Sequence, residues 1–174
     1  MRQGMLLGVV LLLAAGAAWG KKITVTTELK DAQGQSVGTA EISGGAGAGD
    51  HGVTIKLRLH GLTPGEHALH FHQNAMCEGP DFKSAGPHFN PAHMKHGLMN
   101  PQGPHAGDMP NIRVDAKGNA KTTVHNQRVS LGEREDSLFA NGGTALVVHA
   151  KADDMKTDPA GNAGDRVACG VIKK

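Results

Sequence analysis

The sequence predicts an all-β domain, a sandwich or flattened barrel, on three observations. Short runs rich in β-branched and apolar residues recur with period-2 alternation; clusters of Gly, Pro, Asn and Asp separate them; and no stretch sustains a helical period. Eight such runs follow one another with no internal repeat. A chain of 174 residues supports one domain with a sizeable core.

Residues 1–20 stand apart. Arg2 gives a positive start, Met5 to Ala18 an apolar or small run, and Ala18-Trp19-Gly20 a small-x-small cleavage motif. That is a secretory signal peptide, short for a membrane span and ended by a cleavage motif. An uncleaved N-terminal anchor is the alternative. No cysteine follows the run, which argues against a lipid-modified terminus. The domain is then 21–174. The formal charge is +2, close to +1 once Arg2 leaves, and no Lys/Arg block suggests a nucleic-acid partner. Nothing after the leader calls for a membrane. Trp19 leaves with it and there is no Tyr, so Val, Ile, Leu and four Phe must build the core. The two cysteines, Cys77 and Cys169, read as one disulfide in an exported protein. It would close a ring of nearly a hundred residues, worth roughly 4–5 kcal/mol as an upper figure. Two unrelated buried thiols are the alternative.

Taken in order, Lys22 to Leu29 partly alternates and is rich in β-branched residues, a half-buried strand. Asp31 to Gln35 is a turn into a second strand, Ser36 to Ser43, and Gly44 to Gly52 a flexible connection. Val53, Ile55, Leu57 and Leu59 alternate with Thr54, Lys56, Arg58 and His60, the clearest strand in the chain. Gly61-Leu62-Thr63-Pro64-Gly65 breaks it. His67 to His72 is a strand with Leu69 and Phe71 on the core face and His70 and His72 on the other. Asn111 to Val114 and Ala120 to Val124 form a hairpin around Asp115 to Asn119. An irregular connection, Ser130 to Asn141, leads to the buried strand Ala145 to Lys151. Asp153 to Asp165 is a second loop, and Val167 to Ile172 closes the chain.

Between strands lies a long loop. His70 to Asp108 holds six of the chain's eleven histidines, and a connection of this length is uncommon unless it carries function. Imidazoles and carboxylates suit zinc and copper. His70-x-His72 puts two rings on one strand face, their Cα atoms roughly 6.5–7 Å apart. His88, His96, His105 and Asp108 make a full tetrahedral set of the closed, structural kind. His149, ending a distant buried strand, could complete a site with His70 and His72. His51, His60 and His125 read as solvated, His93 as no ligand, and His67 as facing the core. Met94, Met99, Met109 and Met155 lack a repeated Met motif and read as surface residues or gap fillers.

These residues carry a resemblance. SAGPHFNP (84–91), KHG (95–97), HAGDMPNI (105–112), VVHAKADD (147–154) and GNAGDRVACGVI (161–172) closely resemble copper–zinc superoxide dismutase, across essentially the whole mature chain. The secreted bacterial branch is the nearest in look, because its second loop is similarly short. The resemblance implies an eight-stranded Greek-key barrel with immunoglobulin-like sandwich architecture and two functional loops, a known trait of the family.

It also implies one copper and one zinc per subunit. Copper falls to His70, His72, His88 and His149; zinc falls to His88, His96, His105 and Asp108, with His88 a bridging imidazolate. Asp153 corresponds to the aspartate linking a copper-ligand and a zinc-ligand histidine. Arg166 corresponds to the channel arginine that receives superoxide, making Arg166 and His88 the catalytic pair. Cys77 and Cys169 correspond to the family's disulfide. The implied reaction is a redox ping-pong: one superoxide is oxidised to dioxygen, and a second is reduced to hydrogen peroxide with His88 shuttling a proton. His67 corresponds to a buried family histidine that bonds backbone. The implied location is exported, in the periplasm or outside the cell of a bacterium, as monomer or homodimer.

The chain departs from the family in two places. Ala75 stands where a glycine is usual, and would be strained if that position needs a positive φ. The second loop is short, so the acidic pair and the Lys-Thr of the family's long guiding loop have no secure counterpart here, and whether Lys156 and Thr157 stand in for them is open. The alternative function is an envelope protein of the same fold that stores or delivers copper or zinc with little dismutation. Loss of a copper ligand or the arginine would favour it, and none is lost. A cupredoxin-type carrier needs a cysteine ligand with nearby His and Met, whereas only Gly-Val-Ile and lysines follow Cys169.

Overall fold

The computed structural model describes residues 22–45, 47 and 49–174. The expected signal peptide lies outside them. Nine strands run in chain order: β1 Lys22–Lys30, β2 Ser36–Gly45, β3 Val53–Leu59, β4 Gly65–His67, β5 Leu69–His72, β6 Ile112–Val114, β7 Ala120–Asn126, β8 Thr144–His149 and β9 Arg166–Ile172. A curled antiparallel sheet of seven has the order β5-β8-β9-β1-β2-β3-β7, and β4 pairs with β6 as a small second sheet. The described residues contain no α-helix, only two 3-10 turns at Lys83–Ala85 and Ala140–Gly142. The all-β expectation holds.

The strand count differs from eight because the run His67 to His72 splits at Ala68. Its N–H donates to Lys151 O and its carbonyl accepts His149 N–H, so the chain changes partners there. Before it, β4 pairs with β6; after it, β5 pairs with β8. The expected strand to Lys151 ends at His149.

Alternation decides where the core sits. In β3, Val53, Ile55, Leu57 and Leu59 are buried and join Leu29, Val37, Ala40 and Ile42 from β1 and β2. Leu69 and Phe71 of β5 meet the same core opposite Val148 and Leu146. The other face of β8 is also buried: Ala145 and Val147 pack with Phe82, Ala85 and Cys169. Loops therefore cover that face, and His70, His72 and His149 lie on it by alternation. Burying Phe71 contributes about 3 kcal/mol by transfer and orients the two histidines beside it.

The long loop is tied to β5 by its own backbone. Phe71 N–H donates to Gly107 O, Phe89 N–H to Phe71 O and Gly107 N–H to Phe89 O, at 3.0, 2.8 and 2.8 Å. Isolated bridges pair His70 with Asp108 and His72 with His88. A Cβ on Gly107 would lie 2.4 Å from Phe71 O, so only glycine permits this approach. The Cys77–Cys169 disulfide is formed, with Cα atoms 5.7 Å apart, and fastens the loop to β9.

Candidate metal centre

β5 and β8 present three rings to one side, and the loop brings His88 against them. Donor atoms of His70, His72, His88 and His149 all lie within 4.8 Å of one another, and all four residues are buried. The partners of the outward nitrogens fix which atoms face inward. His72 Nδ1 donates to Gly86 O at 2.9 Å and His149 Nδ1 to Gly164 O at 3.2 Å. A carbonyl can only accept, so each Nε2 carries a bare lone pair when the ring is neutral. Burial first, then neighbouring rings, holds His72 well below its ordinary pKa and His149 down to about 3. Those two Nε2 atoms are nevertheless 3.3 Å apart. Two lone pairs facing each other in a buried site call for a cation between them. His70 Nδ1 and His88 Nε2 are buried without a hydrogen-bond partner, which points the same way.

A second set converges on Asp108 Oδ1. It lies 3.1 Å from His88 Nδ1, 3.1 Å from His96 Nδ1 and 3.4 Å from His105 Nδ1, and the His88 and His105 Nδ1 atoms are 3.4 Å apart. Zinc–ligand bonds of about 2.0–2.1 Å give a tetrahedron with edges of roughly 3.3–3.4 Å. These donors thus sit near the vertices zinc requires. His96 Nδ1 is close to Oδ1 without hydrogen-bond alignment. Donor distances alone also group His70 with His88, His96 and Asp108. The contacts to Asp108 Oδ1 specify more: it is approached within 3.4 Å by the Nδ1 atoms of His88, His96 and His105.

Burial would raise the Asp108 carboxyl, but the rings of His105, His88 and His96 beside it and the Gly97 amide hold it well below the usual carboxylate range. Burial lowers His88 to about 4 despite its bond to Asp108. Burial also pulls on His96, but Asp108 and Asp153 outweigh it and raise that ring to about 9.

Asp153 joins the two sets. It accepts from His70 Nε2 at 2.8 Å and His96 Nε2 at 3.0 Å, so that each ring, when neutral, carries its proton on Nε2 and presents Nδ1. A Cβ on Gly161, at φ 62°, would lie 1.8 Å from Asp153 Oδ1, so glycine is needed there. Ligand-type reasoning missed Asn111, which donates Nδ2–H to Asp153 O at 2.9 Å and accepts its N–H at 2.8 Å. An asparagine bonded to backbone gives no signal in the sequence.

A bulge between Val148 and His149 pairs His149 with Arg166 instead of Val167. The Arg166 guanidinium donates to Phe82 O at 2.6 Å and Gly86 O at 2.7 Å, so Gly86 O is shared by Arg166 and His72. A cavity of about 510 Å³ in front of it is lined by Pro80, Asp81, Lys83, Gly164, Asp165 and Arg166. Lys156 and Thr157 are not among its walls; their amides close a turn on Asp154. A larger cavity of about 690 Å³ lies against the disulfide, away from the histidines.

The remaining residues fall outside both sets. His67 bonds His149 O at 2.6 Å and Thr63 O at 2.8 Å. His51, His60, His93 and His125 are exposed. Met94 and Met99 are exposed, and Met109 is in the core. Ala75 is not among the described residues with positive φ, so the strain considered for it does not arise.

The model of the copper/zinc superoxide dismutase family matches residues 36–172. Superoxide dismutase [Cu-Zn] 2 of Aquifex aeolicus is 49% identical over 98% of each chain. Superoxide dismutase [Cu-Zn] of Caulobacter vibrioides is 46% identical over 86% of each. Among solved structures, an SOD-like protein from Bacillus subtilis superposes with a TM-score of 0.80 at 35% identity, covering 86% of this chain and 99% of that one. The Cu/Zn superoxide dismutase from Brucella abortus does so at 0.69 and 30%, covering 87% and 100%. With its curled sheet, its two donor sets and its disulfide, the chain belongs to the copper/zinc superoxide dismutase family.

Proposed function

We propose that this protein is a superoxide dismutase, converting two superoxide anions and two protons to dioxygen and hydrogen peroxide. The observation that carries the reading is His88, the one ring whose two nitrogens face the two donor sets, Nδ1 toward Asp108 and Nε2 without a partner. In this reading His70, His72, His88 and His149 hold copper, and His88, His96, His105 and Asp108 hold zinc. The chemistry supplied by a bound redox-active copper is one-electron exchange with superoxide, while zinc has no redox role.

The chain's own residues do the rest. Arg166 has five N–H donors and uses two of its nitrogens on Phe82 O and Gly86 O, so it keeps donors for an anion while its plane is fixed. His88 can hold a proton at Nε2, its Nδ1 being engaged on the other side, and pass it to the reduced product. Asp153 keeps His70 and His96 in the tautomer that presents Nδ1. Residues 1–20 are read as a cleaved leader and 21–174 as the enzyme domain, exported to the periplasm or cell exterior, where the Cys77–Cys169 disulfide persists.

The test is to purify the mature protein and measure metal content and superoxide decay on the same sample. One copper and one zinc with near-diffusion-limited decay supports the enzyme; metals without turnover supports a metal store. His149→Ala should abolish turnover and leave zinc bound. Full turnover in that variant sinks the copper assignment.

A further inference from the structure

Asp108 is gripped from behind by two side chains outside both donor sets. β7 ends at Asn126, which is 1% exposed and donates Nδ2–H to Ala106 O at 2.9 Å and to Asp108 O at 3.4 Å. Two residues on, Arg128 donates Nη2–H to the same Asp108 carbonyl at 2.5 Å. Its own backbone N–H donates to Asn126 Oδ1 at 2.8 Å, so the two grips are linked. The carboxylate end is constrained separately. Asp108 Oδ2 accepts Gly97 N–H at 2.8 Å and His105 N–H at 3.0 Å, which leaves Oδ1 as the oxygen turned to the three Nδ1 atoms.

Arg128 is half-buried, and its Nε is buried with no partner. An unpaired buried N–H on a cation costs stability, so general packing is a poor reason for a guanidinium here. A methylene side chain would fill the space at less cost. What the guanidinium adds is a charge-assisted bond to one carbonyl, that of the residue whose carboxylate must be aimed.

We propose that Asn126 and Arg128 are positioning residues of the zinc-type set. They fix the Asp108 backbone from the barrel end, so that the carboxylate meets His88, His96 and His105 with Oδ1. The inference rests on reading Asp108 as a zinc ligand. A loop ligand anchored only by its neighbours in the loop would move with the loop; here the anchor is the last residue of a strand paired along its length with β3.

The experiment titrates the mature protein with zinc against a chromophoric chelator, and separately records the visible bands of Co(II) bound in place of zinc. Arg128→Ala and Asn126→Ala should each weaken zinc by about 10–100-fold. The Co(II) bands should shift with them, Arg128→Lys should recover part of the loss, and copper affinity should stay within about threefold of wild type. A lowered melting temperature with zinc affinity and Co(II) bands unchanged overturns the proposal, because the pair is then merely structural. If Arg128→Ala does not fold, Arg128→Lys and Asn126→Ala decide on the same readouts. Asp108→Ala separates the two levels. If it loses zinc while the Arg128 and Asn126 variants keep it, only the positioning role fails; if it keeps zinc, the ligand reading itself fails.

Discussion

Replacing Asp153 by alanine removes a carboxylate that lies outside both donor sets and joins a ring of one to a ring of the other. Its carboxylate accepts His70 Nε2–H at 2.8 Å and His96 Nε2–H at 3.0 Å, with no exposed atoms on either side. A hydrogen bond to a charged group contributes about 1.5–3 kcal/mol, equivalent to roughly 10–150-fold in a binding constant. Without it each ring keeps a buried N–H unpaired or moves the proton to Nδ1, the atom that must bind. The two rings are not equally supported otherwise. His70 stands in β5, paired residue by residue with β8, whereas His96 is on the loop and its N–H is held by Asp158 at 2.9 Å. Zinc affinity should therefore fall by about 100-fold and copper affinity by about 10-fold. Asp153→Asn keeps the volume but sets an amide N–H against at least one ring N–H, so it isolates loss of the acceptor from loss of packing. Competition with chromophoric chelators for each metal reads both constants. If both stay within about threefold of wild type in Asp153→Ala, the tautomer reasoning is wrong.

Arg166→Ala should lower the superoxide rate constant by about 10-fold or more without changing metal content, since steering of the anion by local charge is an established trait of this family. Pulse radiolysis measures it; an unchanged rate means the anion enters elsewhere than past Lys83 and Arg166. Opening the 92-residue separation between Cys77 and Cys169 by Cys77→Ser should cost up to about 5 kcal/mol, read as a drop in denaturant midpoint. For the metal-free protein, burial depresses His88 to about 4 and His149 to about 3, while the carboxylates outweigh burial and raise His96 to about 9. The depressed rings stay neutral when folded, so their contribution is lost as pH falls below about 6.5 toward 3–4. The raised ring's contribution is lost as pH climbs from about 6.5 through 9. Calorimetry should find the highest melting temperature near pH 6.5, and a monotonic trend from pH 5 to 8.5 would contradict these shifts.

The strands and the donor residues were legible because each announces itself by type or by period. Val53 to Leu59 alternates, and His70-x-His72 can only share a strand face. What stayed hidden acts through backbone. The split at Ala68 depends on which carbonyl, Lys151 or a strand neighbour, its N–H meets. The bulge that sets Arg166 opposite His149 involves Val167, an ordinary strand residue. Asn111, Asn126 and Arg128 grip peptide groups, and neither their identity nor their spacing says which peptide a folded loop will offer. Lys83, in the long loop, likewise reaches the cavity wall beside Arg166 only through the fold.

The division between barrel and loop also decides what the metals are for besides chemistry. The main core, Leu69, Phe71, Leu146 and Val148 among it, lies on the opposite face of β5 and β8 from the donors. Six histidines and two aspartates fill the other face, none more than 7% exposed. Without cations, lone pairs there face lone pairs, and two buried carboxylates have only the neighbouring rings and amides to offset their charge. Such an interior is not self-sufficient, so binding free energy becomes folding free energy for the loops and not for the barrel. Removing both metals should then speed amide exchange across residues 73–111 and 150–165, while β1, β2 and β3 keep their protection. Uniform loss of protection would mean that the barrel too leans on the metals, and that the apolar core on its far face is a weaker foundation than its buried residues indicate.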